Sequence, residues 1–139
     1  MSEILSMKSL RAAVKNGSVD TVVAAFPDMQ GRLMGKRFHA KFFVDNAWEE
    51  THCCNYLIAT DLEMATVDGY ESTSWSAGYG DYVMRPDIDT LCVLSWLEGT
   101  ALVLCDLLDH HTHELVPHAP RTVLKQQLKR AADLGPVSY

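Results

Sequence analysis

Three places in the chain combine side chains that could do chemistry. The densest is Asp109-His110-His111-Thr112-His113-Glu114. Its imidazoles and carboxylates offer ligands for a transition metal. The spacing argues against one, because no two of these histidines lie four apart, the separation that puts two side chains on one helix face. A polar run of this kind in a turn is more simply solvated, and no metal site is assigned. The second place is His52-Cys53-Cys54. Neighbouring residues of a strand point to opposite faces, so the two cysteines do not chelate together, and buried free thiols are expected. Cys92 and Cys105 fall in apolar strands and read as core packing.

The third place is the longest. From Asp68 to Asp81, carboxylates alternate with Tyr70, Trp75 and Tyr79 and with three glycines. A loop of this make-up can line a pocket for a cationic or amine group, although its plainer reading is a flexible surface loop. One more stretch is unusual: Asp28-Met29-Gln30-Gly31 is followed by the glycine-bearing, cationic Arg32–Arg37. Its plainer reading is a solvated hairpin. The common phosphate-binding and nucleophile signatures are missing: no P-loop, no G-x-G-x-x-G opening a helix and no G-x-S-x-G elbow. Gly78-Tyr79-Gly80 runs into a strand, whereas a phosphate cradle needs a helix N-terminus. No segment by itself assembles a nucleophile, a base and an orienting group.

The elements that must position these groups follow from periodicity. Met7, Leu10, Ala13 and Val14 predict a helix over Ser6–Asn16, stopped by Gly17. Thr21–Phe26 is an apolar strand, central in a sheet. A turn with Asp early and Gly late leads to Arg32–Phe38 as its hairpin partner, where Gly35 predicts a bulge or a close backbone approach. A short helix is expected around Ala40–Val44 and a strand over Asn55–Ala59. Met64–Gly80 is a long loop, and such loops usually have a function. Asp81–Arg85 is a strand ended by Pro86. Thr90–Trp96 and Thr100–Leu108 form a hairpin across Leu97-Glu98-Gly99. Pro120–Leu134 is a helix with proline in its first turn and Gly135 at its end. Its apolar stripe is Val123, Leu124, Leu128, Ala131 and Ala132, and Lys125, Lys129 and Arg130 are expected to face water. The order of elements gives an α+β fold with a mixed sheet, flanked by an N-terminal and a C-terminal helix.

Composition bounds the function. The 139 residues suffice for one domain, or one domain and part of a second. Twelve basic against eighteen acidic residues give a net charge of −6. That argues against a general nucleic-acid or anionic-membrane binder, both of which need a basic surface. No stretch approaches the ~18 apolar residues of a membrane span, no secretory signal is expected at the start, and a cytoplasmic location is expected.

Four motifs, in order, resemble the N-terminal part of the glutamine synthetase family. Asp28-x-x-Gly31-x-x-x-Gly35-Lys36 is similar to that family's D-x-x-G-x-x-x-G-K hairpin. Gly80-Asp81-x-x-x-x-Pro86-Asp87-x-x-Thr90 is similar to its S-D-x-x-x-x-P-D-x-x-T segment, with Gly80 in place of serine. Trp96, Gly99-Thr100-Ala101 and Cys105-Asp106 resemble the next hairpin. Pro117-His118-Ala119-Pro120-Arg121-x-x-Leu124 resembles the P-x-x-P-R-x-x-L opening of the catalytic domain. The likeness runs from about Val19 to Gly135. Between Tyr56 and Asp81 it is closer to the branch that acts on amines, the γ-glutamyl-amine or polyamine ligases.

The resemblance implies a β-grasp domain over 19–113, preceded by an N-terminal helix in 1–18. Residues 114–139 are then a linker and the first helix of a catalytic domain, cut before its first E-x-E strand. It implies an oligomeric ring in which this domain completes the active site of a neighbouring subunit's catalytic domain. The reaction would be ATP-dependent, phosphorylating a glutamate carboxylate that ammonia or an amine then attacks. ATP and Mg or Mn ions would belong to the full-length enzyme, with no cofactor held by this chain and no activity from it alone. Asp68-Gly69 is similar to the D-G of a D-G-S-S loop, with Tyr70-Glu71 in place of the serines. That implies a role for Asp68 in binding ammonium or an amine and taking its proton. Trp75 would be a pocket wall or a loop anchor, and Asp81 a further wall residue or a structural or subunit-contact carboxylate. The alternative is a stand-alone β-grasp module that associates with, or regulates, full-length synthetase.

Overall fold

The computed structural model describes residues 4–135. The expected start of a further element at 136–139 lies outside the described residues. Helix α1 spans Met7–Asn16; the Ser9 N–H donates to Ser6 Oγ at its start, and Gly17 ends it with φ +81°. Such a left-handed position favours glycine. Strands β1 (Thr21–Pro27) and β2 (Leu33–His39) form an antiparallel hairpin. A short helix α2, Ala40–Phe42, runs on as a π-helical turn over Phe43–Ala47. Then come β3 (Thr51–Cys54), a 3₁₀ turn (Asn55–Ile58), the long loop, β4 (Asp81–Val93), β5 (Thr100–Asp109) and helix α3 (Pro120–Asp133).

The five strands form one mixed sheet in the order β2-β1-β5-β4-β3. Only β1 and β5 pair in parallel, and both lie inside the sheet. That placement explains the continuous apolar character of Thr21–Phe26. Val22, Ala24 and Phe26 join Val103, Cys105 and Leu107 in one core, closed by Leu10 of α1 and by Ala40 and Phe43. Burying a side chain such as Phe26 or Phe43 contributes about 1.5–3 kcal/mol. Gly35 is where the sequence expects a close approach. A Cβ there would fall on the Ala24 carbonyl oxygen and lie 2.7 Å from Ala25 Cα, so the hairpin closes only around glycine.

Several expectations are corrected. The strand placed at Asn55–Ala59 lies upstream, at Thr51–Cys54, because pairing with β4 ends at Cys54 opposite Asp81. Pro86 does not end β4. It pairs in register with Cys105, just before an irregularity between Asp87 and Cys92. Beyond Met84, β3 no longer flanks this strand, so the missing proline N–H disrupts no pairing on that side. Thr90 caps the irregularity, its Oγ1 donating to the Asp87 carbonyl at 2.7 Å and accepting the Leu104 N–H at 2.9 Å. The strand ends at Val93, so Trp96 sits in the turn before β5. Cys53 is buried but Cys54 is exposed.

Lys125 is not simply solvated: its side chain is half-exposed, but its ammonium group is engaged by two carboxylates. With Arg121 it pins α3 to the sheet. Arg121 contacts Asp87 at 2.5 Å and Asp106 at 3.1 Å, and Lys125 reaches the same two carboxylates at 3.1 and 2.6 Å. Val123, Leu124 and Leu128 of α3 remain exposed.

Candidate functional site

The long loop carries the residues singled out for amine chemistry, and two polar clamps hold it. The first is the β1–β2 turn. Asp28 is only 1% exposed, although it is charged. Its carboxylate accepts the backbone N–H of Gln30 (2.9 Å) and of Arg32 (2.8 Å), and Arg32 Nε at 2.7 Å. Burial works to raise its pKa, but the Arg32 hydrogen bonds and charge and the Gln30 amide outweigh that and hold it below the usual value. Gly31 makes the tight turn possible with φ +83°. Thus oriented, Arg32 donates to the carbonyls of Leu62 (2.8 Å) and Asp61 (3.0 Å), and Gln30 Nε2 donates to that of Thr60 (3.0 Å). The expected solvated hairpin is instead a bracket on the first residues of the loop.

The second clamp is Asn55, buried at the end of β3. Its Oδ1 accepts Thr73 Oγ1 at 2.9 Å and the Gly80 N–H at 3.2 Å, and its Nδ2 donates to the Ser72 carbonyl at 3.3 Å. Its own N–H donates to the Gly80 carbonyl at 2.8 Å. Between the clamps the loop folds on itself. Asp61 Oδ1 accepts the N–H groups of Glu63 and Ala65, and short bridges join Thr60 to Thr66 and Ser74 to Gly78.

Asp68 projects from this framework in the turn with Gly69, whose φ is +98°. It is exposed, and its carboxylate makes no hydrogen bond to the described residues. It shares an open depression of about 510 Å³ with Tyr70, Glu71 and Trp75, and no lysine or arginine among the described residues lines it. Trp75 is 79% exposed. Its ring meets Tyr79 edge to face at 5.4 Å, and Tyr79 meets Tyr56 the same way at 5.4 Å. Trp75 is therefore both a wall of the depression and the end of an aromatic row reaching back to the 3₁₀ turn. Asp81 is not brought to this depression; it opens β4 opposite Cys54. A free carboxylate beside exposed aromatic rings can attract an organic ammonium ion and accept its proton.

Elsewhere the titratable groups are inert or scattered. Burial pushes the thiols of Cys53 and Cys105 up to about 12, so both stay protonated. His110 stacks edge-on against His52 and His111, and His113 lies 3.7 Å from Glu50. Among the described residues, no group of three or more His, Cys, Asp or Glu side chains is placed to hold a metal. The described residues therefore do not fit the metal ions that the resemblance implies for the whole enzyme. No described helix is long and apolar enough to cross a membrane.

The sequence reading missed both clamps. Asp28 with Gly31 and Arg32 signals a turn, but nothing in the sequence points to its partners some thirty residues away. Asn55 carries no signal beyond being a polar residue after a strand.

Comparison with known proteins identifies the lineage. A γ-glutamylethanolamide synthetase, GlnA4 of Streptomyces coelicolor, is 52% identical over 132 residues, covering 94% of this chain and 28% of that protein. The chain belongs to the glutamine synthetase family. A glutamate–isopropylamine ligase of a Pseudomonas species is 34% identical over 131 residues, again 94% of this chain and 28% of that protein. The chain thus spans about 28% of the length of these two curated relatives and corresponds to the N-terminal part of glutamine synthetase-like ligases. A solved GmaS/ADP complex matches 96% of this chain and 26% of its own, with a TM-score of 0.61 at 22% identity, a likeness of fold. That fold is the β-grasp-like α+β architecture described above. No family model matches the chain.

Proposed function

We propose that this chain is the N-terminal part of a cytoplasmic, ATP-dependent ligase that joins the side-chain carboxylate of glutamate to an amine. In this reading the 19–113 domain packs against the catalytic domain of the same or a neighbouring subunit in a homo-oligomer. Its long loop supplies one wall of the amine site. The observation that carries it is the free, exposed Asp68 beside Trp75, held out on a loop that Asp28 and Asn55 brace at both ends. Asp68 attracts the ammonium form of the amine and accepts its proton as the nitrogen becomes a nucleophile. Trp75 presents an aromatic face to the substituent or the charge. The two relatives, one named for an ethanolamide product and the other for an isopropylamine substrate, support an amine larger than ammonia. Nucleotide and metal are assigned to the catalytic part of the enzyme, as the resemblance implies. The exposed Val123, Leu124 and Leu128 of α3 support a contact with that part.

The test is complementation. The chain is co-expressed with the catalytic part of a γ-glutamyl-amine ligase, and phosphate release that depends on both glutamate and amine is measured. Turnover is expected only with both present, and Asp68→Asn in this chain should lower it about 100-fold. Equal turnover with and without the chain would refute the reading. Co-purification with an intact synthetase, without any gain in complemented turnover, would favour a stand-alone binding or regulatory module.

A further inference from the structure

One face of the sheet is only partly covered. Strands β1 and β5 pair in parallel, and strands of that kind are normally covered on both faces. Val22, Ala24 and Val103 enter the core, so by alternation Val23 and its partner Leu102 lie on the opposite face. Helix α3 is held at the Asp106 end of that face and contributes no residue to the groove beside it. The groove measures about 400 Å³, with Val23 and Leu102 in its floor and Leu33 and Trp96 in its walls. Leu33 is 57% exposed and Trp96 75%. A tryptophan and an arginine around an apolar groove are the side chains that anchor protein interfaces.

The charge of the groove is one-sided. Arg37 stands on the same face as its pairing partner Val23, Lys36 lines the edge, and no carboxylate lines the groove. Arg37 is exposed, and its side chain makes no hydrogen bond or ion pair to the described residues.

The same chain carries a complementary surface. Loop residues 61–67 expose Leu62 and Met64 on either side of Glu63, which is itself exposed and makes no hydrogen bond or ion pair to the described residues through its side chain. This tip is already ordered. Arg32 donates to the carbonyls of Asp61 and Leu62, and the N–H groups of Asp61 and Val67 donate to the carbonyls of Ala65 and Ala59 at 2.9 Å each. Docking it therefore carries little further ordering cost. Within one copy the tip does not fill the groove, because none of residues 61–67 lines it. Arg32, which holds the tip, is followed by Leu33, which walls the groove, so both surfaces flank the same end of the β1–β2 hairpin. Two copies related by a two-fold axis can then make both contacts at once, each tip in the other's groove. Groove against groove would oppose like charges, and the apolar stripe of α3 is accompanied by Lys129 and Arg130, so neither matches the groove as the acidic tip does.

We propose that the groove is a self-association surface that takes the Leu62–Met64 tip of a second copy of this chain, with Glu63 opposite Arg37. None of residues 61–67 lines the depression at Asp68, so the proposal is independent of the amine-ligase reading.

The experiment is sedimentation equilibrium of the chain over a concentration series. A monomer–dimer equilibrium with a Kd on the order of 10 μM is expected, as for a small interface, and it should weaken in high salt. Trp96→Ala should weaken it about tenfold or more. Glu63→Lys and Arg37→Glu should each weaken it about tenfold, and an equimolar mixture of the two should dimerise as the unaltered chain does, because each tip then meets a groove of opposite charge. All three positions are exposed, and circular dichroism checks that each variant is folded. The α3 double variant Leu124→Ser, Leu128→Ser should leave the equilibrium unchanged. A chain that stays monomeric throughout the series overturns the proposal, as does a mixture that associates no better than its components. So does a dimer that is lost in the α3 variant and kept in the groove and tip variants.

Discussion

Asp28 and Asp68 each stand in a turn with glycine, and the protein uses them in opposite ways. Asp28 is almost wholly buried, with its carboxylate engaged by two backbone amides and a guanidinium. Asp68 is exposed and unengaged, in a depression without basic residues. The first carboxylate spends its hydrogen-bonding capacity on the framework. The second keeps its capacity for something outside the described residues. The contrast also shows dependence, because the turn that Asp28 organises is what holds Thr60, Asp61 and Leu62 at the foot of the loop bearing Asp68. A free carboxylate is useful in a defined place only if other polar groups have been used up to fix that place.

The comparison can be broken most directly at Asp28. Asp28→Ala leaves Arg32 and two turn amides without their acceptor and should cost about 3 kcal/mol of stability, read from urea unfolding. A loss below about 0.5 kcal/mol, the usual range of surface changes, would show that the bracket is incidental. Asn55→Ala comes next, at about 2 kcal/mol, because Thr73, Gly80 and Ser72 lose their partner together. Amide hydrogen exchange should accelerate over 72–80 while the β1 and β5 amides stay protected. Uniform acceleration would mean that Asn55 supports the sheet and not the loop.

Acid gives a smaller, graded effect. The pKa values of Asp28 and Asp87 are depressed in the folded state, with burial opposed and outweighed by Arg32 in one case and by Lys125 and Arg121 in the other. The stability they contribute is complete above the ordinary carboxylate value near ~4 and is lost as pH falls through their lower folded values. Stability measured against pH should therefore drop below pH ~4, and Asp28→Asn should make that drop shallower. An unchanged slope in Asp28→Asn would deny the linkage. Asp68→Asn should be the mildest change, within about 0.5 kcal/mol in stability. It sharpens the comparison if amine-dependent turnover in the complemented enzyme collapses while the unfolding curve stays put.

Local signals in the sequence carried far. Gly17 and the proline at 120 mark helix ends where they stand, and the apolar run Thr21–Phe26 is an interior strand. Gly35 meets the backbone of β1 closely enough to exclude any side chain. What escaped was polar and long-range. Lys125 looked like a solvated helix residue because helical periodicity ranks it on the polar face. Its partners Asp87 and Asp106 lie 38 and 19 residues away. There the two carboxylates overcome the penalty that burial puts on the ammonium and raise its pKa. The strand expected at Asn55–Ala59 failed for a related reason: the pairing partner, not the propensity of those residues, sets where β3 stops.

By itself, the order of residues determined most classes of element, a mixed sheet with Thr21–Phe26 in its interior, the glycine-dependent hairpin and the family to which the chain belongs. These rest on apolar periodicity, on glycine and proline geometry and on short motifs, all of which are written within a few neighbouring residues. Which carboxylates are consumed and which are left free depended on folding. Hydrogen bonds and ion pairs act over about 3 Å, and only the closed sheet brings Arg32 to the carbonyls of 61–62, Asn55 to 72–80 and Lys125 to Asp106.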